Sequence, residues 1–153
     1  MTSATVAHVR RPRPVRFLGR PAGRPVLLLS GPEGRPETWR GLIPHLTADH
    51  LVVLADQAED AHLGVHEDPG ALLGLLHRLD LTDIVLVAHA AHARTGALAA
   101  QQDPSRFRVL VLVSPGVDGR DLPPVSVPIL RLERHDLLDP ARIAQEVRRS
   151  ATP

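Results

Sequence analysis

Short runs of aliphatic residues recur along this chain between stretches with helical spacing, and this alternation is the feature that most restricts its fold. Residues 25–29, 51–55 and 84–88 consist almost entirely of Val, Leu, Ile and Ala. Runs this short and this uniformly apolar are typical of strands that are buried on both faces. We therefore expect an α/β fold: a doubly wound, mainly parallel sheet with helices on both faces.

The other elements follow from the same patterns. We expect further strands at residues 5–9, 15–18, 108–113 and 127–132, and helices at residues 36–46, 69–79, 91–102 and 139–149. The first two strands are separated by Arg-Pro-Arg-Pro, so we interpret residues 1–20 as an N-terminal edge hairpin. The length fits one domain over residues 1–153.

Composition excludes several classes of function. The net charge of +1 and the 43% hydrophobic content are typical of a globular protein, and we expect no nucleic-acid partner. The absence of cysteine excludes disulfides, thiolate metal sites and cysteine catalysis, and it favours a cytoplasmic location. No stretch approaches the roughly 18 apolar residues of a membrane span, so we expect no membrane association. The richness in Ala, Arg, Pro, Leu and Gly is typical of a GC-rich bacterial genome.

Four segments, in order, resemble the α/β-hydrolase superfamily. Residues 25–31 are similar to the strand and His-Gly pair that supply the oxyanion loop, and residues 38–46 are similar to the helix after it. Residues 79–87 are similar to the run that enters the nucleophile elbow, and residues 127–136 to the strand and loop that carry the triad acid. The resemblance implies an α/β-hydrolase-like fold without a cap domain, because only the short connection 116–126 stands where a lid is often inserted.

The departures from this family fall on the positions that carry its chemistry. In the elbow motif G-x-S-x-G the serine attacks the substrate, but Ala90 stands at its position, and Ala88 and His92 stand at the two glycines. Ser30 replaces the histidine of His-Gly, and Asp136 alone matches a triad member. The sequence ends before the family's last strand and its catalytic histidine, so we interpret it as a C-terminally shortened member that lacks both nucleophile and base.

Function is therefore expected to rest on binding. Ligands of open α/β sheets bind beyond the carboxyl ends of the strands. The candidate ligand-binding residues at those ends are Ser30, Gly31, His89, Ala90, Ala91 and Ser114. We expect a pseudohydrolase that binds a small apolar molecule or a protein partner, for example as an accessory factor in bacterial metabolism, with no cofactor and no metal. The alternative is a non-hydrolytic acid/base enzyme (a cyclase, lyase or isomerase) whose catalytic groups are His92, His135 and Asp136.

Each candidate also has a structural interpretation. His89 could serve packing alone, and Ser30 and Ser114 could bond strand ends. His92 could cap the helix or lie on the surface rather than face a ligand, and Asp136 could begin a helix rather than act as an acid. Trp39 is expected to anchor the core or a groove. We also expect a homodimer, formed either through the unpaired edge of the last predicted strand, residues 127–132, or through the last helix.

Overall fold

The computed structural model describes residues 15–29, 37–55, 68–89, 92–113, 122–133 and 139–151. The elements, in chain order, are β1 (Arg16–Gly19), β2 (Arg24–Leu29), α1 (Glu37–Arg40), α2 (Ile43–Leu46), β3 (His50–Ala55), α3 (Pro69–Arg78), β4 (Ile84–His89), α4 (Ala93–Gln102), β5 (Phe107–Val113), β6 (Ile129–Leu132) and α5 (Pro140–Ala151). A single 3₁₀ turn, Pro104–Arg106, separates α4 from β5. Of the predicted N-terminal hairpin, residues 5–9 lie outside this description.

The strands form one six-stranded sheet in the order β1-β3-β2-β4-β5-β6. All neighbouring strands pair in parallel except β1, which pairs antiparallel with β3 at one edge. The predicted α/β class and mainly parallel sheet are therefore confirmed, and so is the placement of residues 16–18 in an edge strand. Between β5 and β6, residues 122–128 contain no helix or strand.

Alternating side chains divide the core into two layers, one on each face of the sheet. In β4, Leu86 joins the layer beneath α3 and α4, whereas its neighbours Val85 and Val87 join the layer beneath α1, α2 and α5. The same alternation holds in β5, where Leu110 and Val111 lie in different layers. Because strand side chains point to opposite faces in turn, a strand covered on both sides must be apolar throughout. The doubly wound arrangement is confirmed.

Helix α3 begins where its sequence predicts. The Asp68 carboxylate accepts a hydrogen bond from the Gly70 amide at 2.9 Å, and Pro69 occupies the first turn, where its missing N–H costs nothing. Helix α4 begins two residues later than expected, at Ala93, with His92 in the preceding N-cap position. Strand β6 begins at Ile129 rather than at residue 127, although Val127 is buried in the core.

The single helix predicted for residues 36–46 is wrong, because the chain forms two short helices instead. Helix α1 ends at Arg40 and α2 starts at Ile43, with Pro44 in its first turn. Proline has no amide hydrogen to donate to the carbonyl four residues earlier, so it interrupts a continuous helix and suits the start of a new one. The break keeps Trp39, Leu42 and Leu46 all buried in the same layer.

The direction of the chain connections reverses between β2 and β4, which makes this pair of strands a topological switch point. These two strands are neighbours, yet the chain leaves β2 toward β3 on one side and leaves β4 toward β5 on the other. At such a switch point the loops that follow the two strands separate, and ligands of open α/β sheets bind there. In register, Leu29 at the end of β2 lies beside Ala88, one residue before the end of β4.

Candidate ligand site at the carboxyl ends of the strands

The predicted site residues divide into two groups. His89 and His92 are described by the structure, and they flank the position between β4 and α4. The other candidates follow the ends of β2, β4, β5 and β6 in sequence, and they lie outside the described residues: Ser30, Gly31, Ala90, Ala91, Ser114, His135 and Asp136. The site is therefore built here from the two histidines and from the side chains that surround them.

His89 is the last residue of β4, and its ring lies against an aromatic residue. Strand alternation places it on the same face as Val85 and Val87, the face covered by α1, α2 and α5. Its ring meets the Trp39 ring edge to face, with centroids 6.3 Å apart and planes at 86°. Its Nδ1 atom is buried. This contact supports the packing interpretation of His89 and links it to α1.

Trp39 anchors the core, as its sequence predicts. It is 0% exposed, the largest fully buried side chain among the described residues. Its indole Nε1 has no hydrogen-bond partner among those residues. An orphaned buried donor costs about 1–3 kcal/mol, so the arrangement retains a polar group at some energetic expense. Sequence alone gave no sign that this ring contacts His89, because the two residues lie in different elements.

His92 is buried at the start of α4. It is 3% exposed, and although it occupies the N-cap position its side chain makes no capping hydrogen bond. Both non-ligand interpretations of this residue, a helix cap and a surface position, are therefore wrong. Its Nε2 atom is buried. Burying an imidazole is costly unless its hydrogen-bonding groups have partners.

The described ends of β2 and β4 and the start of α4 are apolar and belong to the core layer beneath α3 and α4. Leu29, Ala88 and Ala93 are each 0% exposed. The backbone of α4 comes close to the sheet at Gly96, where a Cβ atom would lie 2.6 Å from Leu86 Cδ2. These residues therefore form part of the packed core at this end of the sheet.

Two classes of feature are absent from the described parts of the chain. No group of three or more His, Cys, Asp or Glu side chains is placed there to hold a metal ion. None of the described helices is both long and apolar enough to cross a membrane.

The comparisons with known proteins point to one fold. No protein-family model matches the sequence, and neither does any curated protein. Among solved structures, Cfl2 from Burkholderia cenocepacia is 25% identical, with a TM-score of 0.57, over 75% of this chain and 42% of that one. A bromoperoxidase from Bacillus anthracis is 21% identical, with a TM-score of 0.57, over 65% of this chain and 39% of that one.

A haloalkane dehalogenase, DbeA from Bradyrhizobium elkani, is 22% identical, with a TM-score of 0.55, over 65% of this chain and 36% of that one. The chain thus spans about two fifths or less of each of these proteins, which are members of the α/β-hydrolase superfamily. The strand order, the two helical layers and these likenesses together show that this chain has the α/β-hydrolase fold.

Proposed function

We propose that this protein is a pseudohydrolase, an α/β-hydrolase-fold protein without nucleophilic catalysis, and that it binds a small apolar molecule at the crevice between β2 and β4. One observation carries the proposal: β4 ends at His89, and the next residue, where the resemblance places the nucleophile, is Ala90. A methyl group has neither a lone pair to attack a carbonyl nor a proton to give to a base.

The substitutions around this position support the same conclusion. Hydrolases of this kind use glycine at the two flanking motif positions, because the strained turn passes close to its neighbours. Here those positions hold Ala88 and His92, both buried. A carboxylate nucleophile, which the resemblance associates with dehalogenases, is also excluded by Ala90. Ester, amide, haloalkane and epoxide hydrolysis by the usual covalent route therefore lack their first step.

Binding is supported by what surrounds the crevice. The ends of β2 and β4 and the start of α4 are apolar at Leu29, Ala88 and Ala93, and His89 and His92 add two imidazole groups to this end of the sheet. We expect a ligand with an apolar body and one polar group, since a site of this kind orients its ligand with a few polar contacts.

The second candidate function is a non-hydrolytic acid/base enzyme with His92, His135 and Asp136 as proton-transfer groups. The observation that favours it is the burial of His92, which neither caps α4 nor lies in solvent. A buried imidazole is suited to proton transfer because its surroundings set its protonation state. This candidate requires the two other groups to approach His92.

A labelling experiment tests the absence of a nucleophile. The purified full chain is incubated with a fluorophosphonate probe and with p-nitrophenyl acetate, and its intact mass and the release of p-nitrophenol are measured. We expect no mass increase and no turnover above the buffer rate. Covalent labelling of the chain, or esterase activity that co-purifies with it, would overturn the proposal.

A fluorescence titration tests ligand binding. The chain has one Trp and no Tyr, so emission excited at the indole band reports on Trp39 alone, beside His89. Octanoate, octanol and benzoate serve as probes of stated chemistry. We expect a saturable change in emission for at least one probe, weakened in His92→Leu and retained in the control His45→Leu, whose side chain is exposed. A linear, unsaturated response to every probe would contradict binding at this crevice.

A further inference from the structure

The Trp39 side chain contains a buried hydrogen-bond donor with no acceptor in the described part of the chain. The side chain is 0% exposed, and its indole Nε1 atom makes no hydrogen bond there. The backbone at this position is satisfied, because the Leu42 amide donates to the Trp39 carbonyl at 2.9 Å. Buried polar groups in folded proteins are almost always hydrogen-bonded, so this exception needs a physical explanation.

The described side chains packed in the same layer offer the indole no acceptor. The buried hydrophobic residues of this layer, other than Trp39, are all Val, Leu, Ile or Ala. The buried polar side chains of the described ranges are His50, His92 and Thr95. His50 begins β3 at the opposite end of the sheet, and the other two stand at the start of α4, which covers the opposite face. The described layer therefore supplies no side-chain acceptor for Nε1.

Trp39 lies at the end of the sheet where the proposed ligand binds. Its ring contacts the ring of His89, the last residue of β4. Strand β4 is one of the two strands at the switch point, and ligands of open α/β sheets bind beyond the carboxyl ends of such strands. A ligand that brings an acceptor to this position regains the hydrogen bond that folding leaves unmade.

We propose that Trp39 orients the ligand by donating a hydrogen bond from its indole N–H to an uncharged acceptor oxygen, such as that of a ketone. This inference rests on the proposed function and specifies the class of ligand. The indole is a neutral donor in an aliphatic layer, where burying an ionised carboxylate costs far more than burying a carbonyl group. A hydrocarbon of the same shape leaves the donor unbonded, so the site discriminates against it.

Nuclear magnetic resonance of the full chain tests the hydrogen bond directly. The chain contains one Trp, so its nitrogen–proton correlation spectrum has a single indole cross-peak, that of Trp39. Acetophenone and ethylbenzene serve as matched probes, since they share the phenyl ring and differ in the carbonyl oxygen. Both rings shift nearby protons by their ring current, so the difference between the two probes reports on the oxygen. We expect acetophenone to move the indole proton downfield in a saturable way and ethylbenzene not to do so.

The dissociation constants of the same two probes, measured by calorimetry, test selectivity. Trp39→Phe keeps an aromatic ring and removes the donor. We expect it to lower the ratio of the ethylbenzene constant to the acetophenone constant by about three- to tenfold, the effect of one net hydrogen bond. Any space that the smaller ring leaves serves both probes alike, so it does not change this ratio.

Leu42→Met is the matched control for this substitution. It changes the packing of the same layer with a side chain of similar volume, and it keeps the indole. We expect the ratio of the two dissociation constants to stay at its wild-type value. Circular dichroism establishes that each variant is folded.

Three outcomes would overturn this inference and leave the proposed function intact: an indole cross-peak that both probes shift alike, an equal ratio of dissociation constants in the wild type and Trp39→Phe, or saturable binding of octanol without binding of acetophenone. Absence of saturable binding by every probe would overturn the proposed function and this inference together. The resonance experiment uses the wild-type chain alone, so it decides even if Trp39→Phe fails to fold.

Discussion

The two ends of the parallel strands differ in chemistry. At the amino-terminal end, charged side chains tie neighbouring elements together: the carboxylate of Asp83 lies 3.3 Å from Arg108 and 3.8 Å from Arg24. At the carboxyl-terminal ends of β2 and β4, the described side chains are Leu29, Ala88 and His89, and the His89 ring packs against Trp39. The difference indicates that ionic contacts join elements at one end, whereas apolar and aromatic packing joins them at the other.

Arginine side chains at the amino-terminal end also satisfy backbone groups. Arg106 donates to the Leu81 carbonyl at 3.0 Å and to the His77 ring at 2.9 Å, and it forms an ion pair with Asp103 at 3.2 Å. Arg148 of α5 donates to the His45 carbonyl. Each guanidinium joins segments that are distant in sequence, and its planar set of donors is suited to several acceptors at once.

The largest expected effect is a loss of stability at the carboxyl-terminal end of the strands. Trp39→Ala removes the largest fully buried side chain there, and we expect a loss of about 3–5 kcal/mol in the free energy of unfolding. Urea denaturation followed by circular dichroism measures it, since the variant has no tryptophan. Trp39→Phe is the control: it keeps an aromatic ring and removes the Nε1 donor, so its loss should be smaller. Equal losses of unfolding free energy in both variants would show that the stability does not depend on the volume of the ring.

The second-largest expected effect on stability comes from a close backbone contact at the amino-terminal end. A Cβ atom on Gly23 would lie 2.7 Å from the Asp49 carbonyl oxygen and 2.8 Å from His50 Cα. Because these are backbone atoms, they cannot rotate away, and Gly23→Ala should cost about 1–3 kcal/mol. In the matched control, Gly74→Ala in α3, the added methyl meets nothing within 4 Å, so stability should rise by up to about 1 kcal/mol. Thermal unfolding of both variants measures the difference.

The smallest effect concerns an exposed charge. The hydrogen bond from Arg148 lowers the pKa of Asp49 from 3.8 to about 2, and a further bond from His50 acts in the same direction. A lowered folded-state pKa means that the ionised carboxylate stabilises the fold above about pH 4 and that this contribution is lost as the pH falls toward 2. Both side chains are 40% or more exposed, so we expect less than about 1 kcal/mol.

Urea midpoints measured across this pH range check the expectation. Asp49→Asn should have a shallower decline in stability toward low pH than the wild type, and Arg148→Met should behave similarly because it removes the main cause of the shift. An unchanged slope in both variants would show that this pair does not contribute to acid stability.

Much of the fold was predictable from local pattern. The aliphatic runs that became β2, β3, β4 and β5 were identified to within about a residue or two, because a strand covered on both faces allows little but Val, Leu, Ile and Ala. The helix predicted over residues 36–46 was wrong because the apolar spacing suits one helix or two equally well, and Pro44 starts a second helix. For the site, sequence identified His89, His92 and Trp39 but not how they are buried or which of them meet.

By itself, the sequence determined the class of each main element, the apolar faces of the strands and the alanine at the nucleophile position, since these depend on residue type and near neighbours. Only the tertiary structure decided the strand order, the switch point between β2 and β4, the burial of His92 and the contact between Trp39 and His89. The reason is physical: these features join segments far apart along the chain, such as Asp49 and Arg148, 99 residues apart, and no local periodicity records which distant surfaces will pack together.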